Sequence, residues 1–458
     1  MTGLAAAHRA LELARERGEI LDLTLIEARP QLGGAIRTEH ADGFLVEAGP
    51  DSFLSEKPWA LALCRRLGIE DRLIRTDDRF RKTFVLFRGH LHPLPEGFQL
   101  LAPTRPGPFI RSRLFSWPGK LRMGLDLVLP RGGGDDESLG AFVRRRLGRE
   151  ALERVAQPLV AGIYTADPDS LSLAATMPRF IDLERRSRSV ALGLWRAARA
   201  VPQAAEGTSG ARWSLFVTVR DGMEELVRAL ADRLPADSVR LKERLSGIER
   251  AGNGWRLGID GGSSLVADSI IVATEAHQAS RLLRYVDPAL DHLLADIPYA
   301  SSATVNLGYA RADVPHPLDG FGFVVPKIEG RRLLACTFSS VKYPGRAPEG
   351  FVLLRAFLGG ALDQGVLAGD DEALVRTARE ELALALGVTA APVLTRLWRH
   401  PASMPQYLVG HLDRIDAIDR ALAAHRGLTL AGAAYRGVGI ADSIRSGEAA
   451  AERLLAAD

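Results

Sequence analysis

The N-terminal segment constrains the fold most, because it matches the second half of a dinucleotide-binding strand–helix–strand unit. Residues 4–17 are rich in the helix formers Ala, Leu, Glu and Arg, and residues 21–27 predict a strand that ends in the acid Glu27. In such a unit the helix N-terminus binds a pyrophosphate, Gly3 permits close packing of helix on strand, and the acid binds a ribose hydroxyl. No strand and no earlier glycine stand ahead of Gly3, so we expect a nucleotide-binding sheet that lacks its first strand.

Two glycine-containing segments follow Glu27 and suit the binding of an anion. Backbone amides at paired glycines can approach a phosphate closely, and an arginine beside them can pair with it. The alternative is an ordinary glycine-rich hairpin with a solvated arginine, but the position directly after the acid favours a nucleotide site. The residues predicted to bind the nucleotide here are Gly33, Gly34, Arg37, Gly49, Pro50, Asp51 and Ser52.

The C-terminal segment predicts a second helix directed at the same cofactor. Residues 428–432 form a short apolar strand that ends in glycine, residues 433–440 a turn, and residues 442–455 a helix. A second helix N-terminus can present amides to the charged edge of a reduced flavin. A nicotinamide enzyme does not need such a return of the chain, so this segment favours FAD over NAD.

Taken in order along the chain, several segments resemble the FAD-dependent protoporphyrinogen and coproporphyrinogen oxidases of haem synthesis, which belong to the flavin amine oxidase superfamily. The segments that carry the resemblance are 157–164 (QPLVAGIY), 167–168, 171–172, 320–326 (GFGFVVP), 404–407 (MPQY) with Gly410 and His411, and 435–440 (YRGVGI). The N-terminus departs from the family pattern, which begins with a strand running into Gly-x-Gly-x-x-Gly, because only the last of those glycines, Gly3, is present.

The resemblance implies an enzyme that oxidises a porphyrinogen to a porphyrin, with FAD as cofactor and oxygen as the electron acceptor. It implies an apolar slot for the macrocycle, with Phe321, Gly322 and Val324 on one wall and Phe357 on the other, although plain strand core is the alternative for these residues. It assigns no general base. The cofactor contacts that it adds are Gly3, Glu27, Ala28, Leu245, Val438, Gly439 and Ile440, and a bulky residue in place of Gly439 is expected to eliminate flavin binding.

The substrate and the enzyme class both have alternatives. Coproporphyrinogen III and protoporphyrinogen IX differ by two propionates against two vinyl groups, and residues 82–97 favour the coproporphyrinogen type. In the family a basic residue near the first substrate hairpin holds a propionate. Thr83 stands at that position here, and the sequence does not choose among the neighbouring Arg79, Arg81, Lys82 and Arg88. The rival interpretations are an amine oxidase or carotenoid desaturase of the same superfamily, and a truncated fragment without cofactor.

Composition and charge exclude several classes of protein. The chain has 458 residues with 47% hydrophobic content, enough for two or three domains with a sizeable core. A net charge of +3 argues against a general nucleic-acid binder. Cys64 and Cys336 indicate a reducing compartment without a disulfide framework, and no metal-ligand spacing is visible. Neither a membrane span nor a signal peptide is visible, so a cytoplasmic location is expected.

The predicted fold class is α/β, with an FAD-binding Rossmann-like domain, an interleaved mixed-sheet substrate domain and a helical insertion. We expect the FAD-binding domain over residues 1–75, 211–287 and 424–458, the substrate domain over 76–98 and 288–423, and the helical region over 99–210. Basic and apolar residues are interleaved between Arg105 and Arg131. The resemblance implies that this region contacts a membrane peripherally, at the inner face of the cell membrane, and it allows a homodimer. The alternative is a solvated helix pair whose aromatic residues face the core.

Overall fold

The computed structural model describes residues 1–99, 101–132, 134, 136–200 and 215–456, so the expected boundary near residue 211 lies outside the described residues. The helices, in chain order, are α1 (Thr2–Arg17), α2 (Pro58–Leu67), α3 (Pro106–Arg111), α4 (Trp117–Gly124), α5 (Leu139–Arg146), α6 (Arg149–Ala151), α7 (Gln157–Tyr164), α8 (Leu173–Thr176), α9 (Pro178–Ser187), α10 (Val190–Ala200), α11 (Glu224–Ala231), α12 (Ala276–Leu283), α13 (Pro288–Ala295), α14 (Ser339–Lys342), α15 (Asp371–Leu386), α16 (His411–Leu422) and α17 (Ile440–Ala456).

The strands, in chain order, are β1 (Leu25–Glu27), β2 (Thr38–Ala41), β3 (Phe44–Glu47), β4 (Phe53–Leu54), β5 (Leu73–Arg75), β6 (Thr83–Phe87), β7 (His90–Pro93), β8 (Phe98–Gln99), β9 (Ala102–Pro103), β10 (Phe216–Val219), β11 (Val239–Leu241), β12 (Leu245–Ala251), β13 (Gly254–Ile259), β14 (Ser264–Ala267), β15 (Ile270–Val272), β16 (Tyr299–Ala310), β17 (Gly322–Val324), β18 (Leu333–Phe338), β19 (Phe351–Gly359), β20 (Leu394–Pro405) and β21 (Leu428–Leu430).

The nucleotide-binding half contains two separate parallel strand pairs. β1 pairs with β11, and β15 pairs with β21. Within the described residues these pairs are not hydrogen-bonded to each other. The helix α1 packs against both pairs, because a Cβ on Gly3 would lie 3.6 Å from Cβ of Ala273 and 3.8 Å from Cδ1 of Leu25.

A seven-stranded sheet forms the second half, in the order β20-β16-β19-β18-β17-β6-β7. The neighbours are antiparallel, except that β17 runs parallel to β6. The predicted hairpin within residues 76–98 is confirmed as β6 and β7, and it joins the edge of this sheet. One sheet therefore combines strands from both sides of the helical region. The exact domain limits stay a prediction.

Alternate residues along the strands of this sheet belong to two different hydrophobic clusters, one on each face of the sheet. On one face, Val324 and Phe357 pack with the helices of residues 106–200. On the other face, Phe323 and Ala356 pack with α15. Because successive strand residues point to opposite faces, the first cluster lies between the sheet and the helical region.

The helical region buries some of its aromatic residues and exposes others. Phe109, Leu114 and Phe115 are buried, whereas Trp117 and Leu121 are exposed. The apolar residues of this segment are thus divided between the core and the solvent-exposed surface, and contact with a membrane stays a prediction. In the ranges that the structure describes, no helix has the length and apolar character needed to cross a bilayer.

Candidate functional site

The helices α1 and α17 lie side by side and parallel. A Cβ on Gly447 would overlap the carbonyl of Thr2, and Arg9 donates to Glu452 at 3.0 Å further along both helices. Their N-termini therefore point to the same end of the molecule. Aligned peptide dipoles give a helix N-terminus partial positive charge, and the first turn of α1 contains no acid to neutralise it. This end of the molecule suits an anionic ligand.

The acid predicted to bind a ribose lies at the end of β1. Oε1 of Glu27 accepts a hydrogen bond from the amide of Arg29 at 2.9 Å, and Ala28 beside it is exposed. The amide of Glu243 donates to the carbonyl of Glu27 at 3.1 Å. Leu245, two residues later, packs with Ile26 against one buried cluster. Residues far apart in sequence thus meet at the end of β1.

The two glycine-containing segments pack against each other. Gly33 has a φ of 103°, and a Cβ there would lie 2.9 Å from the carbonyl oxygen of Ile36. The amide of Ala48 donates to the carbonyl of Arg37 at 2.9 Å. A Cβ on Gly49 would lie 2.8 Å from the carbonyl carbon of Ala35, so only glycine permits this approach. The segments 33–37 and 48–52 therefore form one surface.

Some polar side chains on this surface are bound to other described residues of the protein, and one is not. Arg37 is exposed and makes no ion pair in the described part of the chain, so its guanidinium is available for a phosphate. The carboxylate of Asp51 accepts hydrogen bonds from Ser52 at 2.7 Å and from Nζ of Lys342 at 3.2 Å. Burial acts to raise the pKa of this carboxyl, but the charges of Lys342 and Arg355 lower it to about 2. The side chains of Asp51 and Ser52 are therefore already engaged within the protein.

The turn before α17 is held by a tyrosine from the segment 404–407. The hydroxyl of Tyr407 donates to the carbonyl of Ala433 at 2.6 Å and accepts the amide of Gly437 at 2.7 Å. Nε2 of His411, whose ring stacks on Tyr407 with centroids 4.0 Å apart, contacts the carbonyl of Tyr435 at 2.9 Å. Two sequence segments that carried the resemblance thus meet directly.

The start of α17 is also tied to the nucleotide-binding half. Oδ2 of Asp442, in the first turn of α17, accepts hydrogen bonds from Nζ of Lys57 at 2.5 Å and from the amide of Gly439 at 3.3 Å. Val438 packs against the hydrophobic cluster of the sheet, whereas Ile440 is buried among the residues that cover α1 and α2. The turn 437–440 therefore lies between the two halves.

Only some of the residues predicted to line the macrocycle slot lie together in one hydrophobic cluster. Val324 belongs to the same hydrophobic cluster as the partly buried Phe357 and Val438. Gly162 of α7 adjoins Val324, because a Cβ on Gly162 would lie 3.8 Å from Cγ1 of Val324. Gly322 has no room for a side chain, since a Cβ would lie 2.9 Å from Cα of Thr337. Phe321 is half-buried and does not belong to this cluster.

Most basic residues near the first hairpin are already paired. Arg79 pairs with Asp77 at 2.6 Å, Arg81 with Asp78 at 3.4 Å and Lys82 with Asp319 at 2.7 Å. Arg88 and Arg179 differ, because neither makes an ion pair among the described residues. Each guanidinium lies over a ring of the hydrophobic cluster, Arg88 over Phe87 at 5.3 Å and Arg179 over Phe180 at 4.9 Å.

The phenols beside the cluster are donors rather than bases. Burial raises the pKa of Tyr164 to about 12, and it also raises the pKa of Tyr407. The hydroxyl of Tyr164 donates to the carbonyl of Thr176 at 3.3 Å. These side chains stay protonated at neutral pH, so neither phenol acts as a base there.

Comparison with known proteins decides the family. The family model of flavin-containing amine oxidoreductases matches residues 1–455. The chain belongs to this family. It is 37% identical to a coproporphyrinogen III oxidase of Bacillus subtilis, over 99% of this chain and 96% of that protein. It is 31% identical to protoporphyrinogen oxidase 1 of Arabidopsis thaliana chloroplasts, over 92% of this chain and 80% of that protein.

A solved structure shows the same architecture. A proposed protoporphyrinogen oxidase from Exiguobacterium sp. 255-15 superposes with a TM-score of 0.87 at 31% identity, covering 100% of this chain and 97% of that one. The expected α/β fold of FAD-dependent oxidoreductases is therefore confirmed.

The residues of this flavin-containing oxidoreductase fit FAD. Two parallel helix N-termini face one end, and the close approaches at Gly33 and Gly49 leave backbone rather than side chains on the surface. Arg37 has no ion-pair partner in the part of the chain that the structure describes. Gly3 is less constrained than expected, because an added Cβ would meet its neighbours at ordinary contact distance. The individual cofactor contacts stay predictions.

Sequence reasoning missed four residues that shape the cofactor end. These are Gly437, Tyr407 and the ion pair of Lys57 with Asp442. Gly437 has a φ of 137°, and a Cβ there would lie 2.7 Å from Cβ of Asp442. The Tyr-Arg-Gly-Val-Gly-Ile segment contained a signal for Gly437, because two glycines flank one valine. The ion pair joins residues 385 positions apart and has no local signal.

Proposed function

We propose that this chain is an FAD-dependent porphyrinogen oxidase of haem biosynthesis and that its substrate is coproporphyrinogen III. The observation that carries the proposal is one apolar cluster that contains Val324 of the sheet and against which both Phe357 of the sheet and Val438 of the turn before α17 pack. An apolar wall that packs with the cofactor turn suits a large macrocycle of uncharged pyrrole rings. The names of the relatives at 31–37% identity support this substrate class.

The residues of the chain bind and orient the macrocycle. Val324 and Phe357 would contact its faces and exclude water, and Tyr407 would hold the turn 433–437 in place through its two hydrogen bonds. Bound FAD would supply the acceptor for two electrons and two hydrogens, as a hydride and a proton, in each of three steps, and oxygen would reoxidise it with release of one hydrogen peroxide per step. The six electrons and six hydrogens removed from the porphyrinogen are thereby balanced by three molecules of oxygen.

The unpaired arginines support coproporphyrinogen III over protoporphyrinogen IX. Coproporphyrinogen carries two propionates in the places where protoporphyrinogen carries vinyl groups. Arg88 and Arg179 flank rings of the cluster and have no acid partner among the described residues, so each can bind a carboxylate without breaking an ion pair.

The test compares the two substrates on the FAD-loaded chain. We expect fluorescent coproporphyrin III to form with consumption of oxygen, and Arg88→Gln to raise KM for coproporphyrinogen several-fold while kcat changes little. Arg81→Gln is the matched control, because Arg81 already pairs with Asp78. Oxidation of primary amines without porphyrin formation would contradict the proposal. A faster reaction with protoporphyrinogen IX would contradict only the choice of substrate.

We also propose that α4 and the residues after it rest on a membrane surface. Trp117, Leu121 and Val128 are 65%, 72% and 73% exposed, and Lys120 lies 4.6 Å from the ring of Trp117. Exposed apolar residues beside cations favour anionic lipid surfaces.

Vesicle binding tests this contact. We expect the chain to sediment with vesicles of phosphatidylglycerol and phosphatidylcholine, and Trp117→Ser with Leu121→Ser to reduce the bound fraction. Ile20→Ser, at an exposed residue between α1 and β1, is the control. Equal binding by both variants would contradict the proposal. Light scattering on the same protein tests the homodimer that the resemblance allows.

A further inference from the structure

The carbonyl oxygen of Ala48 is approached by three side-chain donors from three adjacent strands. Oγ1 of Thr304 on β16 donates to it at 3.1 Å, Nη2 of Arg355 on β19 at 3.3 Å, and Nε2 of His400 on β20 lies at 3.0 Å. A carbonyl oxygen has two lone pairs, and most accept one or two hydrogen bonds. Three donors from the central and edge strands of one sheet therefore hold this atom in position from several directions.

The histidine in this group acts as a donor. A carbonyl can only accept, so Nε2 of His400 carries the hydrogen. Burial and the charge of Arg355 lower the pKa of His400, so its ring is neutral at pH 7 and leaves Nδ1 without a hydrogen. The charge of Arg29 also acts to lower the pKa of His400, and the hydrogen bond to the carbonyl of Ala48 acts to raise it.

Arg355 joins the predicted substrate wall to the predicted cofactor surface. Its side chain is buried, and Nη2 also donates to the carbonyl of Gly49. On its other side the guanidinium lies 4.9 Å from the ring centroid of Phe357. One side chain thus touches the wall residue Phe357 and the first two residues of the segment 48–52.

The segment that these donors hold has little freedom of its own. The amide of Ala48 donates to the carbonyl of Arg37, and Gly49 is in close contact with Ala35. The segment 48–52 is therefore held between the sheet and the surface formed by residues 33–37. A shift of the sheet donors would move both parts of the predicted cofactor surface.

We propose that Thr304, Arg355 and His400 are positioning residues that hold the carbonyls of Ala48 and Gly49 and so keep the cofactor surface aligned with the substrate wall at Phe357. This role rests on the FAD-dependent function proposed above. The three side chains act through the segment 48–52 and not by contact with the reacting atoms.

The experiment uses paired substitutions that either remove or keep the donor. Thr304→Val has nearly the same shape without the hydroxyl, and Thr304→Ser keeps the hydroxyl. His400→Leu removes the donor, and His400→Gln keeps an N–H at similar reach. Thr395→Val on β20 is the control, because among the described residues its hydroxyl makes no hydrogen bond. The readouts are the Kd for FAD by flavin fluorescence, the flavin midpoint potential, and the Tm of the protein without FAD.

We expect Thr304→Val and His400→Leu each to weaken FAD binding by about 3- to 10-fold, as the loss of one hydrogen bond implies. The midpoint potential should shift with them, and Thr304→Ser and His400→Gln should restore both values. If Tm without FAD falls while Kd and the potential stay at the wild-type values, the residues only stabilise the sheet and the inference is wrong. If the wild-type chain binds no FAD, the proposed function itself fails, and the positioning role fails with it.

Discussion

Gly437 shows how one backbone position limits the cofactor end. Its φ of 137° is rarely adopted by residues with a side chain, and a Cβ would lie 2.7 Å from Cβ of Asp442. Such strain costs about 1–3 kcal/mol. We expect Gly437→Ala to weaken FAD binding by about tenfold or more, measured by flavin fluorescence. At Gly439 a Cβ would come no closer than 3.3 Å to a neighbouring atom, Oδ2 of Asp442, so Gly439→Ala should have a smaller effect. Equal losses in the two variants would contradict this account of the turn.

The lowered pKa of the Asp51 carboxyl predicts that the folded protein loses stability in acid. Burial acts to raise the pKa of its carboxyl, and Lys342 and Arg355 lower it from 3.8 to about 2. A depressed folded-state pKa adds stability above the unfolded value, and this stability is lost as the pH falls through the folded value. We expect Asp51→Asn to lower the free energy of unfolding by about 2 kcal/mol at pH 7, and the difference from wild type to shrink between about pH 4 and pH 2.

Urea unfolding between pH 7 and pH 3 measures this difference. The exposed Asp22 is the control, and Asp22→Asn should follow the wild type at every pH. A wild-type-minus-Asp51→Asn difference that stays constant down to pH 3 would show that the ion pair with Lys342 does not depress this pKa.

At the scale of secondary-structure elements, substitution of Gly447 tests directly whether α1 packs closely on α17. Alanine favours a helix over glycine by about 1 kcal/mol, so intrinsic propensity predicts that Gly447→Ala stabilises the protein. The structure predicts the reverse, because a Cβ there would overlap the carbonyl of Thr2 and lie 3.0 Å from the amide nitrogen of Ala6. We expect a lower Tm and weaker FAD binding, since both helix N-termini would move.

Gly124 in α4 is the matched control for Gly447. A Cβ there would meet nothing within 4 Å, so Gly124→Ala should leave Tm unchanged or raise it. A rise of Tm in both alanine variants would mean that α1 and α17 are not in the close contact described.

Elements with a local signal were predicted well. The helix α1, the hairpin β6–β7, the buried strand β15 and the helix α17 lie where propensity and apolar patterns place them. The strand predicted over residues 21–27 is shorter, since only Leu25–Glu27 pair with β11. Propensity marks a segment that can be extended, but pairing with a neighbour decides how much of it is a strand.

The candidate site was predictable only in part, because much of it depends on contacts between distant segments. The surface of residues 33–37 and 48–52 followed from glycine spacing. The donors Thr304, Arg355 and His400 reach Ala48 from more than 250 residues away along the chain. Their residue types are ordinary in strands, and only the order of strands in the sheet brings them to one carbonyl.

At the scale of the whole molecule, the proposed site draws on residues of both halves. The nucleotide-binding half supplies the parallel helices α1 and α17, the seven-stranded sheet supplies Val324 and Phe357, and the helical region covers the same cluster. Neither half alone presents an apolar wall beside a cofactor turn. In the function proposed above, oxidation of a porphyrinogen by bound FAD would require both.

An anaerobic single-turnover reaction tests this account most directly. The FAD-loaded chain is mixed with coproporphyrinogen III without oxygen, and the visible spectrum is followed. We predict bleaching of the flavin absorption band with the appearance of one coproporphyrin for every three FAD reduced, because the porphyrinogen loses six electrons in two-electron steps. A flavin band that persists with coproporphyrinogen III and with protoporphyrinogen IX, but bleaches with an amine, would contradict the account.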